Sequence, residues 1–298
     1  MLTHLLDFLK KQDIEYSVQF DISTASYIKI GGKAACAAMP NSTEKLIKLV
    51  DFLKEENIPY RLVGAMSNIL PPDTDYPGVL IITTKCDRYC VAENEINLDC
   101  GVKLSKILRS LSAGGLCGME SLFAIPGTVG GMIYSNAGAY SASISDRLIT
   151  ATLYSPKKKE IFTLSKSEMS FSYRHSTLIG TDNILLSANF LLCNDNPTDI
   201  AKRITAVAKL RREAQPYNMP SLGSVFKRSG DTPISLLIDR LGLKGFSVGG
   251  AQISKKHAGF IVNTGMATEK DFLELVAIIK DRVYDRYGIT PEEEIELF

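Results

Sequence analysis

The segment Ala124–Tyr140 (AIPGTVGGMIYSNAGAY) constrains the fold of this chain most strongly. It contains four glycines and one proline and has no charged residue. Glycine has a low helix propensity and proline removes a backbone donor, so a regular helix is not expected here. Because glycine permits positive φ and has no Cβ, the backbone N–H groups can approach a ligand closely. Two interpretations stay open from this segment alone: a loop that binds phosphate or pyrophosphate, and a loop-rich crossing of the core.

Two further glycine turns favour the ligand-binding interpretation. In Arg61–Leu70 an apolar run ends at Gly64 and is followed by Ser67 and Asn68, which favour turns and offer side-chain donors. In Tyr27–Met39 a pair of glycines follows an alternating segment. None of the three turns has the spacing of a Rossmann dinucleotide-binding turn or of a P-loop. Three such turns suit a large, extended cofactor that is held from several sides.

Composition excludes several other classes of partner. The 34 basic and 33 acidic residues leave a net charge of +1, so no global field attracts nucleic acid or an anionic membrane. The six cysteines include no CxxC pair, so free, mostly buried thiols are expected and a metal site is not. The N-terminus has no uninterrupted apolar stretch of signal-peptide or transmembrane length, and we expect a cytoplasmic protein.

Hydrophobic periodicity and turn residues predict an α+β chain. The predicted helices are Thr43–Glu56, Leu104–Ala113, a helix from Pro197 to about Glu213, and a last helix from Thr268 to Gly288, with Asp271 in a capping box. The predicted strands are Tyr60–Val63, Gly78–Thr84, a pair within Tyr89–Leu98, a hairpin of Leu148–Tyr154 with Glu160–Leu164, and Asn183–Leu192. The composition changes near Lys202–Gln215, where we expect a domain boundary.

Three residues outside the glycine turns are candidates for chemistry. Ser224, in PSLGSVFK, is predicted to lie in a tight turn before a strand, where a serine commonly hydrogen-bonds its own backbone. Arg174, in SYRHS, carries a planar fork suited to a carboxylate or a developing enolate, although most arginines are solvated surface residues. Glu294 belongs to an acidic C-terminus that is usually only solvated. No serine lies in a nucleophile elbow, so a Ser-His-Asp triad is not supported.

The order of these motifs resembles that of the UDP-N-acetylenolpyruvoylglucosamine reductase (MurB) family. The motifs are IGG, VGAMSN, IPGTVGG with NAGAY, YRHS, PSLGSVFK, GLKG with GGAQISKKHAGFIVN, and the acidic C-terminus. The resemblance covers nearly the whole chain. GSVFK and GGAQISKKHAGFIVN are specific to that family, whereas the IPGTVGG region is shared with the wider vanillyl-alcohol-oxidase-like FAD-binding fold.

The resemblance implies the fold and the ligands. It implies a two-subdomain FAD-binding module of the vanillyl-alcohol-oxidase-like (PCMH-type) fold, at residues 1–83 and 84–205, and a C-terminal α+β substrate domain at residues 206–298. It also implies non-covalent FAD, NADPH as reductant, and a UDP-sugar enolpyruvate substrate that is reduced to a lactyl ether in peptidoglycan precursor synthesis. The residues implied for FAD are Tyr27, Gly31, Gly64, Ser67, Asn68, Ile125, Pro126, Gly127, Thr128, Gly130, Gly131, Asn136 and Gly138. Those implied for the substrate are Tyr173, Lys227, Arg228, Lys256 and His257.

The same resemblance implies the catalytic roles. Ser224 would donate the proton to the carbon beside the substrate carboxylate, after hydride has reached the neighbouring carbon of the enol ether. Arg174 and Glu294 would assist the enol intermediate.

The sequence also departs from the family. Ala65 and Met66 replace glycines, Ala124 replaces another, and Ala214 stands where many relatives carry a lysine. No tyrosine-bearing insertion lies between the YRHS and PSLGSVFK motifs, as in the shorter subtype. Two alternatives remain: another FAD-linked alcohol or sugar oxidoreductase of this fold, and a non-catalytic flavin- or nucleotide-sugar-binding regulator.

Overall fold

The computed structural model describes residues 2–298, which form two compact units. Unit 1 comprises residues 2–18, Cys36–Ala65 and Pro77–Lys209, and unit 2 comprises Gln19–Ala35, Met66–Tyr76 and Leu210–Phe298. The predicted division at residues 83 and 205 stays a prediction. Within residues 2–298, no helix is long and apolar enough to cross a membrane.

The chain contains both helices and strands, and several strands follow one another without an intervening α-helix, as expected for an α+β protein. The helices are α1 (Leu2–Lys11), α2 (Ile22–Ala25), α3 (Thr43–Glu55), α4 (Leu104–Ala113), α5 (Val129–Tyr134), α6 (Pro197–Ala214), α7 (Ile234–Arg240) and α8 (Glu269–Tyr287). The strands are β1 (Glu15–Asp21), β2 (Lys33–Met39), β3 (Tyr60–Val63), β4 (Ile69–Leu70), β5 (Tyr76–Ile82), β6 (Tyr89–Ala92), β7 (Glu95–Asp99), β8 (Leu116–Cys117), β9 (Gly138–Ala139), β10 (Ala142–Ser143), β11 (Leu148–Ser155), β12 (Glu160–Ser165), β13 (Ile184–Leu191), β14 (Cys193–Asn194), β15 (Ser221–Ser224), β16 (Ser247–Val248), β17 (Ala251–Ile253), β18 (Phe260–Asn263) and β19 (Glu296–Leu297).

Unit 1 is built on two sheets. One has the order β1-β2-β5-β3, with β3 parallel to β5, and the other is antiparallel with the order β12-β11-β13-β7-β6. The predicted hairpin of β11 with β12 and the predicted pair of β6 with β7 are both confirmed. The central strand β13 is buried along most of its length, with Phe190 wholly inaccessible. A run of apolar residues is therefore retained there rather than strict alternation.

Helix α3 shows how local sequence fixes an element of unit 1. The Ser42 hydroxyl accepts a hydrogen bond from the Lys45 amide at 3.2 Å and so caps the helix. Leu46, Val50 and Leu53 recur on one face and are fully buried in the unit 1 core. The helix predicted from the same spacing is confirmed.

Unit 2 carries an antiparallel sheet of order β15-β18-β17-β16 and a separate apolar core. Helix α8 contributes its predicted buried stripe, which includes Phe272 and Leu275, to that core. Its start is fixed by a capping box, in which the Asp271 amide donates to the Thr268 hydroxyl at 3.0 Å and the Asp271 carboxylate accepts from the Thr268 amide at 3.1 Å. Gly288 ends the helix with φ of 66°, as a left-handed cap requires.

Two local expectations are wrong. Val129–Tyr134 is a short helix. The Thr128 hydroxyl caps its start by accepting a hydrogen bond from the Gly131 amide, and tertiary packing outweighs the low helix propensity of glycine. Ser224 is the last residue of strand β15 and does not precede a strand; the turn is made by Gly223, whose φ is 82°.

Candidate active site

The glycine segment of unit 1 begins α5 against the turn that follows β7. The Val129 amide donates to the Val102 carbonyl at 2.9 Å, and the Gly130 amide donates to the Cys100 carbonyl at 2.8 Å. A Cβ on Gly130 would lie 3.1 Å from that same oxygen, which explains why glycine is needed. The Gly130 amide is therefore occupied by the protein, and the expectation of bare amides does not hold at this glycine.

The two predicted cofactor segments of unit 1 contact each other at Gly64 and Thr128. A Cβ on Gly64 would lie closer than 3.0 Å to the Thr128 Oγ1 and 3.4 Å from the Thr128 Cβ. No larger residue fits between the end of β3 and the start of α5 without displacing the threonine. The structure thus brings together two turns that are distant in sequence.

Two backbone donors of the glycine segment lack a protein acceptor. Across residues 2–298, no protein group accepts a hydrogen bond from the amide of Gly127 or of Thr128, and Gly127 has a φ of 146°. Adjacent free amides at the start of a helix suit an anionic oxygen, such as that of a pyrophosphate. Ile125, Pro126 and Gly131 flank these donors in the chain.

Asn136 supplies a second indication of a bound group. Its φ is 45°, and its Nδ2 donates to the Ser172 carbonyl at 2.9 Å, while its Oδ1 is buried and has no hydrogen-bond partner in the protein. A buried acceptor without a donor is costly unless a ligand or a water satisfies it. FAD, which carries several N–H and O–H donors as well as a pyrophosphate, fits both Asn136 and the free amides.

Arg174 lies on a tight turn of unit 1 close to the glycine segment. Ser172 and His175 pair across this turn, and Arg174 itself has a φ of 54°. The guanidinium donates to the Gly138 carbonyl at 3.3 Å and lies 5.1 Å from the centre of the Tyr173 ring. The structure therefore places Arg174, Tyr173 and Gly138 together, with the Tyr173 side chain exposed.

Ser224 lies in unit 2 where strand β15 ends. It pairs with Phe260 of β18, and the next residue, Val225, donates its amide to the Gly259 carbonyl at 2.9 Å. The Ser224 side chain is partly buried, and across residues 2–298 its hydroxyl has no hydrogen bond to the protein. A turn serine that satisfies its own backbone would show such a bond, so this hydroxyl is available to a ligand.

The acidic C-terminus pairs with the segment that follows Ser224. The Glu294 amide donates to the Val225 carbonyl at 2.7 Å, and Phe226 forms a bridge with Glu293. The Asn68 side chain donates to the Glu294 carbonyl at 2.9 Å, which fixes the other side of the same residue. The structure thus brings Ser224, Asn68 and Glu294 into one part of unit 2.

The neighbouring glutamates are committed to lysines. The Glu292 carboxylate forms an ion pair with Lys227 at 2.5 Å, and the Glu293 carboxylate forms one with Lys280 at 2.8 Å. The Glu294 amide, by contrast, donates to the carbonyl of Val225, the residue that follows Ser224.

Tyr27, Gly31 and Ser67, which are also implied for FAD, lie in unit 2. The Tyr27 amide donates to the Met66 carbonyl at 3.2 Å, which joins this segment to the one that carries Ser67. Gly31 has a φ of 142°, and a Cβ there would lie 3.0 Å from Ile22. This glycine is therefore required by the packing of the chain itself.

The residues implied for the substrate are not all brought together. Lys256 lines a cavity of about 570 Å³ in unit 2 and donates to the Arg212 carbonyl at 2.5 Å. His257 does not line it: its Nδ1 accepts from the Gly259 amide at 3.1 Å, and burial together with the charge of Lys244 lowers its pKa below the ordinary value. Lys227 and Arg228 lie outside this lining too.

Sequence reasoning missed several residues of this cavity. The lining includes Arg212, Tyr217, Asn218, Gln252, Ser254 and Lys255. The run of basic residues at the end of α6 and the pair of lysines before His257 were the available signals, but neither indicates which side chains converge.

Comparison with known proteins agrees with this geometry. Residues 34–162 match the FAD binding domain family, and residues 215–298 match the C-terminal domain of UDP-N-acetylenolpyruvoylglucosamine reductase. The chain is 41% identical over 290 residues to the UDP-N-acetylenolpyruvoylglucosamine reductase of Caldicellulosiruptor saccharolyticus, covering 97% of this chain and 93% of that protein. The enzyme of the same name from Lactobacillus helveticus is 38% identical, with 98% of both chains covered.

A solved structure shows the same fold over nearly all of the chain. The crystal structure of UDP-N-acetylenolpyruvylglucosamine reductase (MurB) from Thermus caldophilus superposes with a TM-score of 0.80 at 29% identity, covering 96% of this chain and 98% of that one. The predicted FAD-binding fold with a C-terminal α+β domain is confirmed.

Proposed function

Because the chain belongs to the UDP-N-acetylenolpyruvoylglucosamine reductase family, we propose that it reduces UDP-N-acetylglucosamine enolpyruvate to UDP-N-acetylmuramate in cytoplasmic peptidoglycan precursor synthesis. FAD is the cofactor and NADPH the reductant. The observation that carries the assignment is the Ser224 hydroxyl, which has no protein partner across residues 2–298 and lies beside the paired segment of Glu294. A flavin-binding regulator would not require this arrangement.

Bound FAD supplies the hydride that reaches the enol ether. Negative charge then develops at the carbon beside the substrate carboxylate, and this carbon must take a proton. We assign that proton to Ser224, whose hydroxyl is not committed to a backbone acceptor. An alcohol is a weak acid in water, but a strongly basic carbon needs only a positioned proton where water is excluded.

Arg174 and Glu294 are assigned to the charge that develops on the substrate. The Arg174 guanidinium is planar and is oriented by the Gly138 carbonyl and the Tyr173 ring, so it offers fixed donors to a carboxylate or enolate oxygen. Glu294 is held through its backbone on both sides, by Val225 and by Asn68. A carboxylate carried on a backbone held in this way can orient the substrate or the proton donor.

In unit 1 the FAD-binding role rests on Gly127, Thr128 and Asn136. The two free amides would receive phosphate oxygens, and the unpaired Oδ1 of Asn136 would accept from a donor of the cofactor. For the UDP-sugar we propose the residues that the family resemblance implies: Lys227, Arg228, Lys256, His257 and Tyr173.

Separate measurement of the two half-reactions tests the assignment of Ser224. Ser224→Ala should keep bound flavin and be reduced by NADPH at close to the normal rate, because neither event needs the hydroxyl. Turnover with the enol ether should fall by about 100 to 10,000-fold, the usual loss for a general acid. Ser224→Cys should keep measurable turnover, since a thiol can also deliver a proton.

Ser221→Ala is the matched control, because Ser221 lies on the same strand and pairs with Val262. It should turn over normally. Stopped-flow absorbance of the flavin and steady-state oxidation of NADPH give the two rates. Normal turnover by Ser224→Ala would remove Ser224 from the mechanism, and purified protein without flavin absorbance would contradict the proposed function as a whole.

A further inference from the structure

Two cysteines of unit 1 face each other across a short antiparallel ribbon. Strand β14 pairs with β8, and Cys193 is directly opposite Cys117. Both are free thiols, and both are partly exposed, whereas Cys36, Cys86 and Cys100 are buried. Cys90 is exposed but pairs with Asn97. The ribbon is therefore the place in unit 1 where two accessible thiols stand opposite each other on paired strands.

The register of the ribbon gives the spacing of this pair. The Asp195 amide donates to the Gly115 carbonyl at 2.9 Å, which marks those two residues as a hydrogen-bonded pair. Pairs alternate along an antiparallel ladder, so Cys193 and Cys117, two positions along, form a hydrogen-bonded pair as well, with a Cα separation of about 5.5 Å. Protein disulfides usually have Cα separations of about 4.4–6.8 Å. The expected Cα separation of this pair therefore lies within the range found for protein disulfides.

The side-chain spacing makes such a bond easy to reduce. Directly opposed Cβ atoms in a sheet are about 4.5–5.5 Å apart, whereas a relaxed disulfide requires about 3.5–4.5 Å. Closing the bond therefore pulls the two strands together. Strained, exposed disulfides are the labile ones, in contrast to the structural disulfides of secreted proteins.

Charged residues around the ribbon set the conditions for oxidation. Arg203 forms ion pairs with Glu120 and with Asp195, both at 2.8 Å, and these acids lie just beyond Cys117 and Cys193 in the chain. Desolvation, followed by the charge of Glu120, raises the pKa of Cys117, while Arg203 opposes the shift. The Cys117 thiol is thus mainly protonated at neutral pH, and its reaction with an oxidant should become faster as the pH rises.

We propose that Cys117 and Cys193 form a reversible intramolecular disulfide when the protein meets a peroxide. One thiolate attacks the peroxide oxygen, giving a sulfenic acid and releasing hydroxide. The second thiol then attacks that sulfur, the S–S bond forms and water leaves. Two thiols lose two protons and two electrons, one peroxide is reduced to two waters, and a dithiol reductant reverses the change.

The place of the bond in the chain indicates what it would affect. Cys117 is followed at once by Gly118, whose amide donates to the Glu120 carboxylate at 2.6 Å, and the chain then continues into the glycine segment. A bond from Cys117 to Cys193 fixes the start of this connection to β14. The modification is thus separate from the reduction of the UDP-sugar and lies in the part of the chain that leads into the glycine segment.

Intact-mass spectrometry of the flavin-loaded protein tests the proposal. The protein is treated with hydrogen peroxide at pH 7 and at pH 9, and its intact mass is measured. A second portion of each sample is then alkylated without unfolding and digested to locate the cross-link. We expect a loss of 2 Da that appears faster at pH 9, a Cys117–Cys193 cross-linked peptide, and full reversal by dithiothreitol. Cys90→Ser should behave like the unchanged protein.

Cys117→Ser and Cys193→Ser should each abolish the loss of 2 Da, and their flavin absorbance reports that they are folded. A gain of 16 or 32 Da on single thiols without a cross-link would overturn the proposal. It would be overturned equally by a loss of 2 Da that persists in either serine variant, or by disulfide-linked dimers through Cys90 in place of the intramolecular bond.

Discussion

The contact of Gly64 with Thr128 predicts a steric coupling that can be measured. A methyl group in Gly64→Ala would lie closer than 3.0 Å to the Thr128 Oγ1, where ordinary van der Waals contacts begin at 3.4 Å. Gly64 does not have a positive φ, so backbone strain does not contribute and the effect is one of overpacking. Overpacking of this kind costs about 1–3 kcal/mol of the free energy of unfolding. The start of α5 must shift to relieve it, so FAD affinity should fall as well.

A double-mutant cycle isolates this contact. Thr128→Ala alone should cost about 0.5–2 kcal/mol, because it removes the side chain that caps α5. It also removes the clashing oxygen and leaves the Thr128 Cβ at an acceptable 3.4 Å. The double variant should therefore be about as stable as Thr128→Ala, with a favourable coupling of about 1–3 kcal/mol.

Urea unfolding of the flavin-free protein and fluorescence titration with FAD give the two quantities for all four proteins. Unfolding free energies that simply add in the double variant would refute the contact. So would a Gly64→Ala protein with unchanged stability and FAD affinity.

Three further predictions concern stability and the cavity. Burial raises the pKa of Asp99 to about 6. The folded state therefore holds this proton more tightly than the unfolded state, and the free energy of unfolding should increase as the pH falls from 8 to 5. In urea titrations, Asp99→Asn should stabilise the protein by about 1–3 kcal/mol at pH 8, and this gain should vanish near pH 4. Thr268→Ala should cost about 1 kcal/mol in thermal unfolding, and Asp271→Ala should cost more, because it also leaves the Gly250 amide without the acceptor it now has at 3.1 Å; equal losses would contradict this. Lys255→Ala should raise the Michaelis constant for the UDP-sugar without changing the rate of flavin reduction by NADPH if the cavity holds the substrate, whereas an unchanged Michaelis constant would exclude it.

The elements that sequence predicted well are those with both a hydrophobic period and a cap. Helix α8 has its start encoded by Thr268 and Asp271, its end by Gly288, and its buried face by apolar residues at helical spacing. All of these signals are local, so the helix could be delimited without knowledge of its partners. Helix α5 has the cap but lacks the propensity, and it forms because the amides of Val129 and Gly130 find carbonyls in the turn after β7. That decision is tertiary and could not be made from the segment alone.

The glycine turns illustrate a different limit. Their abundance correctly indicated close approach, yet what approaches differs at each position: Thr128 at Gly64, the Cys100 carbonyl at Gly130, and Ile22 at Gly31. A glycine in a sequence can indicate that there is no room for a Cβ at that position, but it does not identify the neighbouring group that occupies the space. The groups that remain for a ligand, the amides of Gly127 and Thr128 and the Oδ1 of Asn136, are identified only by subtracting every hydrogen bond the protein makes with itself.

The same subtraction bears on the two interpretations of Ser224. From its local sequence, a serine after Gly223 is expected to bond its own backbone, and that expectation alone would assign it no function. In the structure, Gly223 makes the turn, β15 pairs with β18, and the C-terminal glutamates pair with the residues just beyond. The backbone around Ser224 is thus satisfied by strands that come from far along the chain. Across residues 2–298, the Ser224 hydroxyl forms no hydrogen bond to the protein. A partly buried hydroxyl that is not hydrogen-bonded within the protein is suited to the proposed delivery of a proton.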